Sequence, residues 1–125
     1  MSNPNIVNVT TITGNTTYLT PGNTTANTLL SNAASSGLVY KINQIVCANV
    51  NGSSAVNATV AINNQAAGAG TNFPIISTIS VPASASVIAV DKTTAVYLME
   101  NSSIVVTSGT SSGITYTISY ESIAS

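Results

Sequence analysis

The sequence has 125 residues, of which 44% are hydrophobic and only 4% are charged, with a formal net charge of −1. A chain of this length fits one domain, and its high hydrophobic content with little charge excludes an intrinsically disordered protein. With two lysines, no arginine and no histidine, it has neither the basic surface that nucleic-acid binding requires nor the imidazole of a Ser-His-Asp or Cys-His catalytic site.

The residue types favour β-structure. Ser, Thr, Asn, Gly and Ala make up much of the polar and small-residue content, and Val, Ile and Thr recur in short runs. β-Branched side chains suit a pleated sheet, whereas the good helix formers Glu, Lys, Gln and Met are few. We therefore expect an all-β fold, an antiparallel β-sandwich or jelly-roll-like single domain with an extended N-terminal arm.

Residues 1–36 form the first of two predicted regions, an N-terminal arm or a set of peripheral strands. IVNVTTI (6–12) and TTYLT are candidate short strands joined through Gly14-Asn15. Pro21-Gly22 predicts a turn. An arm would lie across neighbouring subunits, whereas the alternative is that these residues form the first strands of the sandwich. The candidate interface residues are Ile6, Val7, Val9, Tyr18 and Leu19.

Residues 37–125 are the predicted sandwich core, with seven strands. GLVYKINQIVCANV (37–50) has Leu38, Tyr40 and Ile42 on one face, and we expect a bulge near Asn43-Gln44. The side chains expected on that face after the bulge are Val46, Ala48 and Val50. Asn51-Gly52 predicts a turn into AVNATVAIN (55–63), which makes a hairpin or a sheet corner.

The remaining five strands follow a small-residue segment, NQAAGAGTN (64–72), that we expect to be a flexible loop. These strands are FPIISTISV (73–81), SVIAV (86–90), AVYLM (95–99), SIVVTS (103–108) and GITYTISYES (113–122). We expect the middle three to form a meander with Asp91-Lys92 and Glu100 at its corners. The longest apolar run, 95–99, is far shorter than the roughly 18 residues of a membrane-spanning helix, so no membrane partner is expected.

The carboxylates do not suggest catalysis, and we expect no enzyme activity. The three candidates are Asp91, Glu100 and Glu121. In a meander Asp91 and Glu100 would lie at opposite ends of the sheet, too far apart to act as a pair. No Cys/His cluster and no calcium-loop motif is present, so no cofactor or metal is expected, although a weak calcium site using one carboxylate and loop carbonyls stays open.

Two further signals have simple interpretations. Cys47, in QIVCANV, is expected to be a small buried side chain, with an interchain disulfide or a reactive thiol as alternatives. The first residues lack the charged and apolar regions of a secretory signal, so synthesis in a host cytoplasm is expected. Without export, the N-x-[ST] sequons are accidents of composition. They occur at Asn8, Asn15, Asn23, Asn51, Asn57 and Asn101.

One set of motifs resembles a known class of proteins. VPA (81–83), IAVDK (88–92) and VYLMENSSI (96–104) follow YKINQIVCANVNGSSAVNATVAI (40–62) and precede TYTISYESI (115–123). Residues 38–123 thereby resemble small virion structural proteins of tailed bacteriophages, particularly marine and cyanobacterial phages. The chain departs from that pattern at Asn101 and Ser102, where an acidic residue is expected.

The resemblance implies a β-sandwich present in many copies, without enzymatic activity. It implies a capsid decoration (cement) protein on the virion surface, which binds the major capsid protein and copies of itself as a homotrimer. The alternatives are a neck, tail or fibre adaptor and a carbohydrate-binding module for host recognition. The last would need exposed aromatic side chains, and its candidates are Tyr18, Tyr40 and Tyr97, since Tyr116 and Tyr120 share the face expected to be buried.

Overall fold

Two antiparallel β-sheets form the protein in a computed structural model, which describes residues 4–124. The strands are β1 (Thr11–Leu19), β2 (Asn27–Asn32), β3 (Leu38–Asn49), β4 (Val56–Asn63), β5 (Asn72–Val81), β6 (Ser86–Val90), β7 (Val96–Leu98), β8 (Ser102–Ser108) and β9 (Ile114–Ala124). A single 3₁₀ turn, Lys92–Thr94, separates β6 from β7. The seven strands predicted after residue 37 are therefore confirmed.

The strand order is that of a jelly roll. The first sheet runs β1-β9-β3-β6, with β7 also pairing with β3, and the second runs β2-β8-β4-β5. Both β6 and β7 pair with β3, β6 with residues 45–48 and β7 with residues 40–42. Together they therefore act as one interrupted strand. Counted in that way, eight strands form two four-stranded sheets. The predicted antiparallel β-sandwich is confirmed.

The core lies between the inner faces of the two sheets. Tyr116 is its largest fully buried side chain, and Tyr120 packs at its margin, as the alternation in the last strand predicts. The Tyr116 hydroxyl donates to the Thr107 carbonyl at 2.7 Å, which links the first sheet to the second. Burial without this bond would leave a polar group unsatisfied in an apolar interior.

A bulge in β3 shifts which residues face the core. Pairing with β9 passes from Ile42 to Gln44, so Asn43 is the extra residue, as the sequence predicts. One inserted residue exchanges the two faces of the strand downstream. Ile45 and Cys47 therefore face the core. The expectation that Val46, Ala48 and Val50 face inward is wrong.

The N-terminal region belongs to the sheets. β1 is one continuous strand that pairs with β9 from Thr11 to Leu19, so the predicted turn at Gly14-Asn15 is wrong. β2 pairs with β8 in the second sheet. The extended arm is therefore not confirmed, because residues 11–32 supply an edge strand to each sheet. Residues 6–10 precede β1 and lie outside the strands.

One predicted connection is confirmed in one of its two forms, and another is wrong. β3 and β4 lie in different sheets, so the turn at Asn51-Gly52 is a sheet corner rather than a hairpin. β6 and β7 lie in the first sheet and β8 lies in the second, so the predicted three-stranded meander is wrong. Local alternation predicts strands but does not determine the sheet that each one joins.

Buried asparagine side chains hold the connections in place. Asn32, Asn49 and Asn63 each end a strand and are at most 4% exposed. The Asn32 amide donates to two carbonyls, those of Leu38 (3.0 Å) and Leu98 (3.1 Å). A side-chain amide has donors and an acceptor, so one residue satisfies several loop backbone groups at once.

The small-residue segment after β4 has a defined path over the second sheet. The Asn63 amide donates to the Gly68 carbonyl at 3.2 Å, and its oxygen accepts from the backbone of Gln65 and Gly70. The segment therefore lies over Val105 of β8, whose side chain is 3% exposed. The predicted loop is present, but hydrogen bonds to one buried amide hold it.

Candidate interaction surface

An apolar patch covers one end of the outer face of the first sheet. Cross-strand register places Ile12 of β1, Ile123 of β9 and Val39 of β3 side by side in one row. Tyr97 and Met99 lie beside Val39 and are 46% and 53% exposed. We call these five residues the outer patch. Val39 and Ile123 are buried by their neighbours, whereas Ile12 is 55% exposed.

A cleft opens at the margin of the outer patch. It has a volume of about 290 Å³, and Val39, Tyr97 and Met99 line it together with Pro4 and Ile6 from the segment before β1. All five lining residues are apolar or aromatic. Contiguous exposed apolar surface is one of the features that mark sites of contact with other molecules. The cleft has the chemistry to accept an apolar side chain of a partner.

The five candidate interface residues lie in two places. Ile6 and Val7 are 51% and 92% exposed in the segment before β1, and Val9 beside them is partly buried. Tyr18 is 73% exposed on the outer face of β1. Leu19 packs against the core cluster, so its side chain is committed to the fold of its own chain.

Asp91 holds the turn between β6 and β7. Its carboxylate accepts hydrogen bonds from the backbone N–H groups of Thr93 (2.9 Å) and Thr94 (3.2 Å), and the Thr94 hydroxyl accepts from the Asp91 N–H at 3.2 Å. This reciprocal arrangement is a capping box. The Thr93 hydroxyl, which also donates to the carboxylate, is the main cause that lowers the pKa of Asp91. These bonds give Asp91 a structural role.

The other two carboxylates lie elsewhere. Glu100 accepts a hydrogen bond from the Gly37 N–H at 3.1 Å, and Glu121 lies opposite Lys41 in the register of β9 and β3. Because β6 and β7 follow one another along β3, Asp91 and Glu100 lie at successive points of one edge, not at opposite ends. Within residues 4–124 no three acidic, Cys or His side chains gather where a metal ion could bind.

A second cleft lies beside the β3 bulge. It has a volume of about 300 Å³ and is lined by Asn43, Gln44, Asp91, Lys92 and Ser119. The Asn43 side-chain oxygen is buried there without a hydrogen-bond partner. The lining combines one carboxylate, one ammonium group and neutral polar groups.

Cys47 lies in the core. Its side chain is fully buried, and burial raises the pKa of the thiol to about 12. A thiol that is neutral and enclosed is a poor nucleophile and cannot reach a second chain. The buried interpretation is therefore confirmed, and the alternatives of an interchain disulfide or a reactive thiol are wrong.

Several sequon asparagines have a structural use. The side-chain oxygen of Asn23 accepts from the Thr25 N–H at 3.1 Å, and that of Asn51 accepts from the Ser53 N–H at 2.9 Å. The oxygen of Asn101 accepts from the Ala66 N–H at 3.2 Å. Short polar side chains at turns bond the nearby backbone in this way. These sequon residues stabilise loops.

The tyrosines do not form one aromatic platform. Tyr18 and Tyr97 are exposed, but they lie on β1 and β7 with β9 and β3 between them. Tyr40 packs against Tyr120, with ring centroids 5.0 Å apart, and is partly buried. Tyr18 and Tyr97 therefore do not offer a sugar one continuous aromatic surface.

Most of the outer patch is not predictable from the sequence alone. Val39 and Ile123 occupy positions of β3 and β9 where alternation predicts polar, solvent-facing side chains. The signal is local: an apolar residue interrupts the polar face near the start of β3 and again near the end of β9. Only the register of β3 and β9 shows that Val39 and Ile123 lie side by side.

No family model matches the chain, and no curated protein matches it. Residues 4–124 include no helix with the length and apolar character that a membrane crossing requires.

Proposed function

We propose that the chain is a non-enzymatic structural protein of a bacteriophage virion, and that it decorates and stabilises the assembled head. The outer patch carries this proposal. In a chain with five charged side chains, an exposed apolar surface offers attachment by burial rather than by ion pairs. The resemblance of residues 38–123 to small phage virion proteins is the reason for proposing a phage virion as the assembly.

The proposed partners are the major capsid protein and copies of this chain on the capsid surface. The outer patch, with Ile6 and Val7 beside it, would contact the shell. An interface of ordinary size buries about 800 Å² per partner. Many copies on one shell, or several joined as a trimer, would add avidity to each single contact.

The fold alone leaves other functions open, since jelly rolls occur both in viral capsids and in lectins. The separation of Tyr18 from Tyr97 counts against a glycan site. A neck, tail or fibre adaptor would use the same apolar surface, and copy number distinguishes it from decoration. Hundreds of copies per particle favour the head, whereas a dozen or fewer favour the tail.

The test uses heads purified without this protein. Met99→Lys places a charge in the outer patch, whereas Phe73→Lys changes a side chain of matched exposure, 53% against 56%, on the edge of the other sheet. We expect wild type and Phe73→Lys to bind the heads and to raise their resistance to heat and low salt. Met99→Lys should bind at least about tenfold more weakly, which corresponds to about 1.4 kcal/mol.

Two results would contradict the proposal. If all three proteins bind equally, the outer patch is not the attachment surface. If heads that lack the protein are as resistant as heads that carry it, stabilisation is not its function.

A further inference from the structure

The four edges of the two sheets differ in how well they are protected. β1 forms one edge of the first sheet, and β6 with β7 forms the other; β2 and β5 are the edges of the second. An edge strand presents unpaired backbone N–H and C=O groups to any other chain. Proteins commonly protect such edges with charge, proline, bulges or short strands.

Three of the four edges carry protection of this kind. β2 has six residues and a register break between Thr28 and Leu30. β5 contains Pro74 and faces two register breaks in its pairing with β4. The edge formed by β6 and β7 is interrupted by the 3₁₀ turn, which bears Asp91 and Lys92.

β1 has none of these protections. Its nine residues, TITGNTTYL, include no charged residue and no proline, and all nine pair with β9 without a register break. At roughly 3.3 Å per residue the strand is about 30 Å long. Seven of its nine residues are exposed. β1 is therefore a long, regular and uncharged edge.

We propose that β1 pairs antiparallel with β1 of a second copy, about a twofold axis at Asn15. The first sheets of the two copies then become one continuous sheet. The same strand serves both partners, so the contact is closed and forms a dimer rather than a filament.

The side chains of β1 are complementary in this register. Pairing centred on Asn15 places Ile12 of each copy opposite Tyr18 of the other. These are the two large apolar side chains on the outer face of β1, and they are 55% and 73% exposed. Aliphatic and aromatic side chains directly opposite one another stabilise an antiparallel pair. A shift of two residues in either direction would remove both contacts.

The outer patch continues across the proposed contact. Ile12 already lies beside Ile123, which lies beside Val39. Tyr18 of the second copy would extend this row on the open side of Ile12. Each copy therefore buries exposed apolar area at the point where its own patch reaches the sheet edge.

Charge does not oppose the contact. The nearest charged residue in register is Glu121, which pairs with Gly14. Glu121 of one copy and Glu121 of the other would be separated by three strand spacings, at least about 14 Å, which exceeds the screening length of about 8 Å in physiological salt. A single strand contact is small for a specific interface, so the dimer should form reversibly.

The inference is independent of the proposed virion function, because it concerns the purified protein without heads. It also differs from the trimer that the resemblance implies. Failure to dimerise would leave attachment to heads untested, and failure to bind heads would leave dimerisation untouched.

Sedimentation from micromolar to millimolar concentration tests the contact. We expect wild type to pass reversibly from monomer to dimer, and Tyr18→Lys to raise the dimer dissociation constant at least tenfold. Ile88→Lys is the control, since it places the same charge at an exposed apolar position of β6 on the opposite edge of the sheet; it should dimerise as wild type. A monomer throughout, a trimer, or equal weakening by both variants would overturn the proposal. Equal melting temperatures establish that both variants are folded.

Crosslinking tests the register. Asn15→Cys would place two thiols opposite one another at the axis, so a short bis-maleimide should give a covalent dimer. Ile88→Cys, at an exposed position of β6 on the opposite edge of the first sheet, is the control and should give little. The native Cys47 is buried and does not compete. Equal crosslinking of both variants, or none with Asn15→Cys, would show that the proposed register is wrong.

Discussion

Asn49 shows how a single neutral side chain can hold a sheet corner. It is 4% exposed, and its amide donates to the carbonyls of Val81 (2.8 Å) and Ser54 (3.0 Å). Its oxygen accepts from the Asn51 N–H at 2.7 Å. Buried backbone groups need such partners, because water cannot reach them. Asparagine thus provides hydrogen bonds to buried backbone groups at these corners. A charged residue could provide them only at a higher desolvation cost.

Asn49→Ala should lower the free energy of unfolding by about 2 to 3 kcal/mol, because it leaves buried backbone groups without partners. Chemical denaturation measures the change. Asn8→Ala, at an exposed position before β1, is the control and should change stability by no more than about 0.5 kcal/mol. Equal effects of the two substitutions would show that the corner bonds contribute nothing.

Asp91 should make the turn between β6 and β7 sensitive to acid. Hydrogen bonds from Thr93 and Thr94 lower the pKa of Asp91 in the folded protein. Their contribution is therefore complete above the unfolded pKa of about 3.9 and is lost as the pH falls through the lower folded value. Melting temperatures from pH 6 to pH 2 should fall further for wild type than for Asp91→Asn. The same fall in both would assign the acid effect to other carboxylates.

At the scale of the elements, the sequence predicts strands better than it predicts their surroundings. Alternation identifies β4 and β9, and the Asn43-Gln44 bulge is found at its predicted place. The expectation that Val46, Ala48 and Val50 share the face of Ile42 is wrong, because the one inserted residue brings Ile45 and Cys47 to that face instead. The path of residues 64–71 cannot be predicted from the sequence either, because it depends on the hydrogen bonds of the buried Asn63 side chain.

Gly68→Ala should loosen the segment that covers Val105. Gly68 has a φ of +76°, and a Cβ there would lie 2.8 Å from the Thr28 hydroxyl oxygen. Both features disfavour alanine, so stability should fall by about 1 to 2 kcal/mol. Gly22→Ala, where a Cβ meets nothing within 4 Å, should be nearly neutral. Hydrogen exchange at Ala66 measures the local effect, and unchanged protection would contradict it.

For the whole molecule, fold class is accessible from composition and spacing, whereas topology is not. β3 and β4 are adjacent in sequence but lie in different sheets, and β1 pairs with β9 from the other end of the chain. These pairings depend on which faces are buried together, and this is a tertiary property. The outer patch is likewise not predictable from the sequence, because its members come from four separate parts of the chain and only the tertiary fold brings them together.

The shortage of charge should make stability insensitive to salt. Only five side chains are charged, and opposite charges that stay in contact with solvent, such as the partly exposed Lys41 and Glu121, contribute at most about 1 kcal/mol. The melting temperature should change by no more than about 2 °C between 0.05 and 0.5 M NaCl. Lys41→Gln should show the same small dependence. A large salt effect in wild type that this variant abolishes would reveal a strong ion pair.

The pairing of Thr11 with Ala124 has a practical consequence. β1 begins and β9 ends side by side at one corner of the first sheet, next to Ile12 and Ile123. A reporter fused to either terminus would therefore crowd the same face.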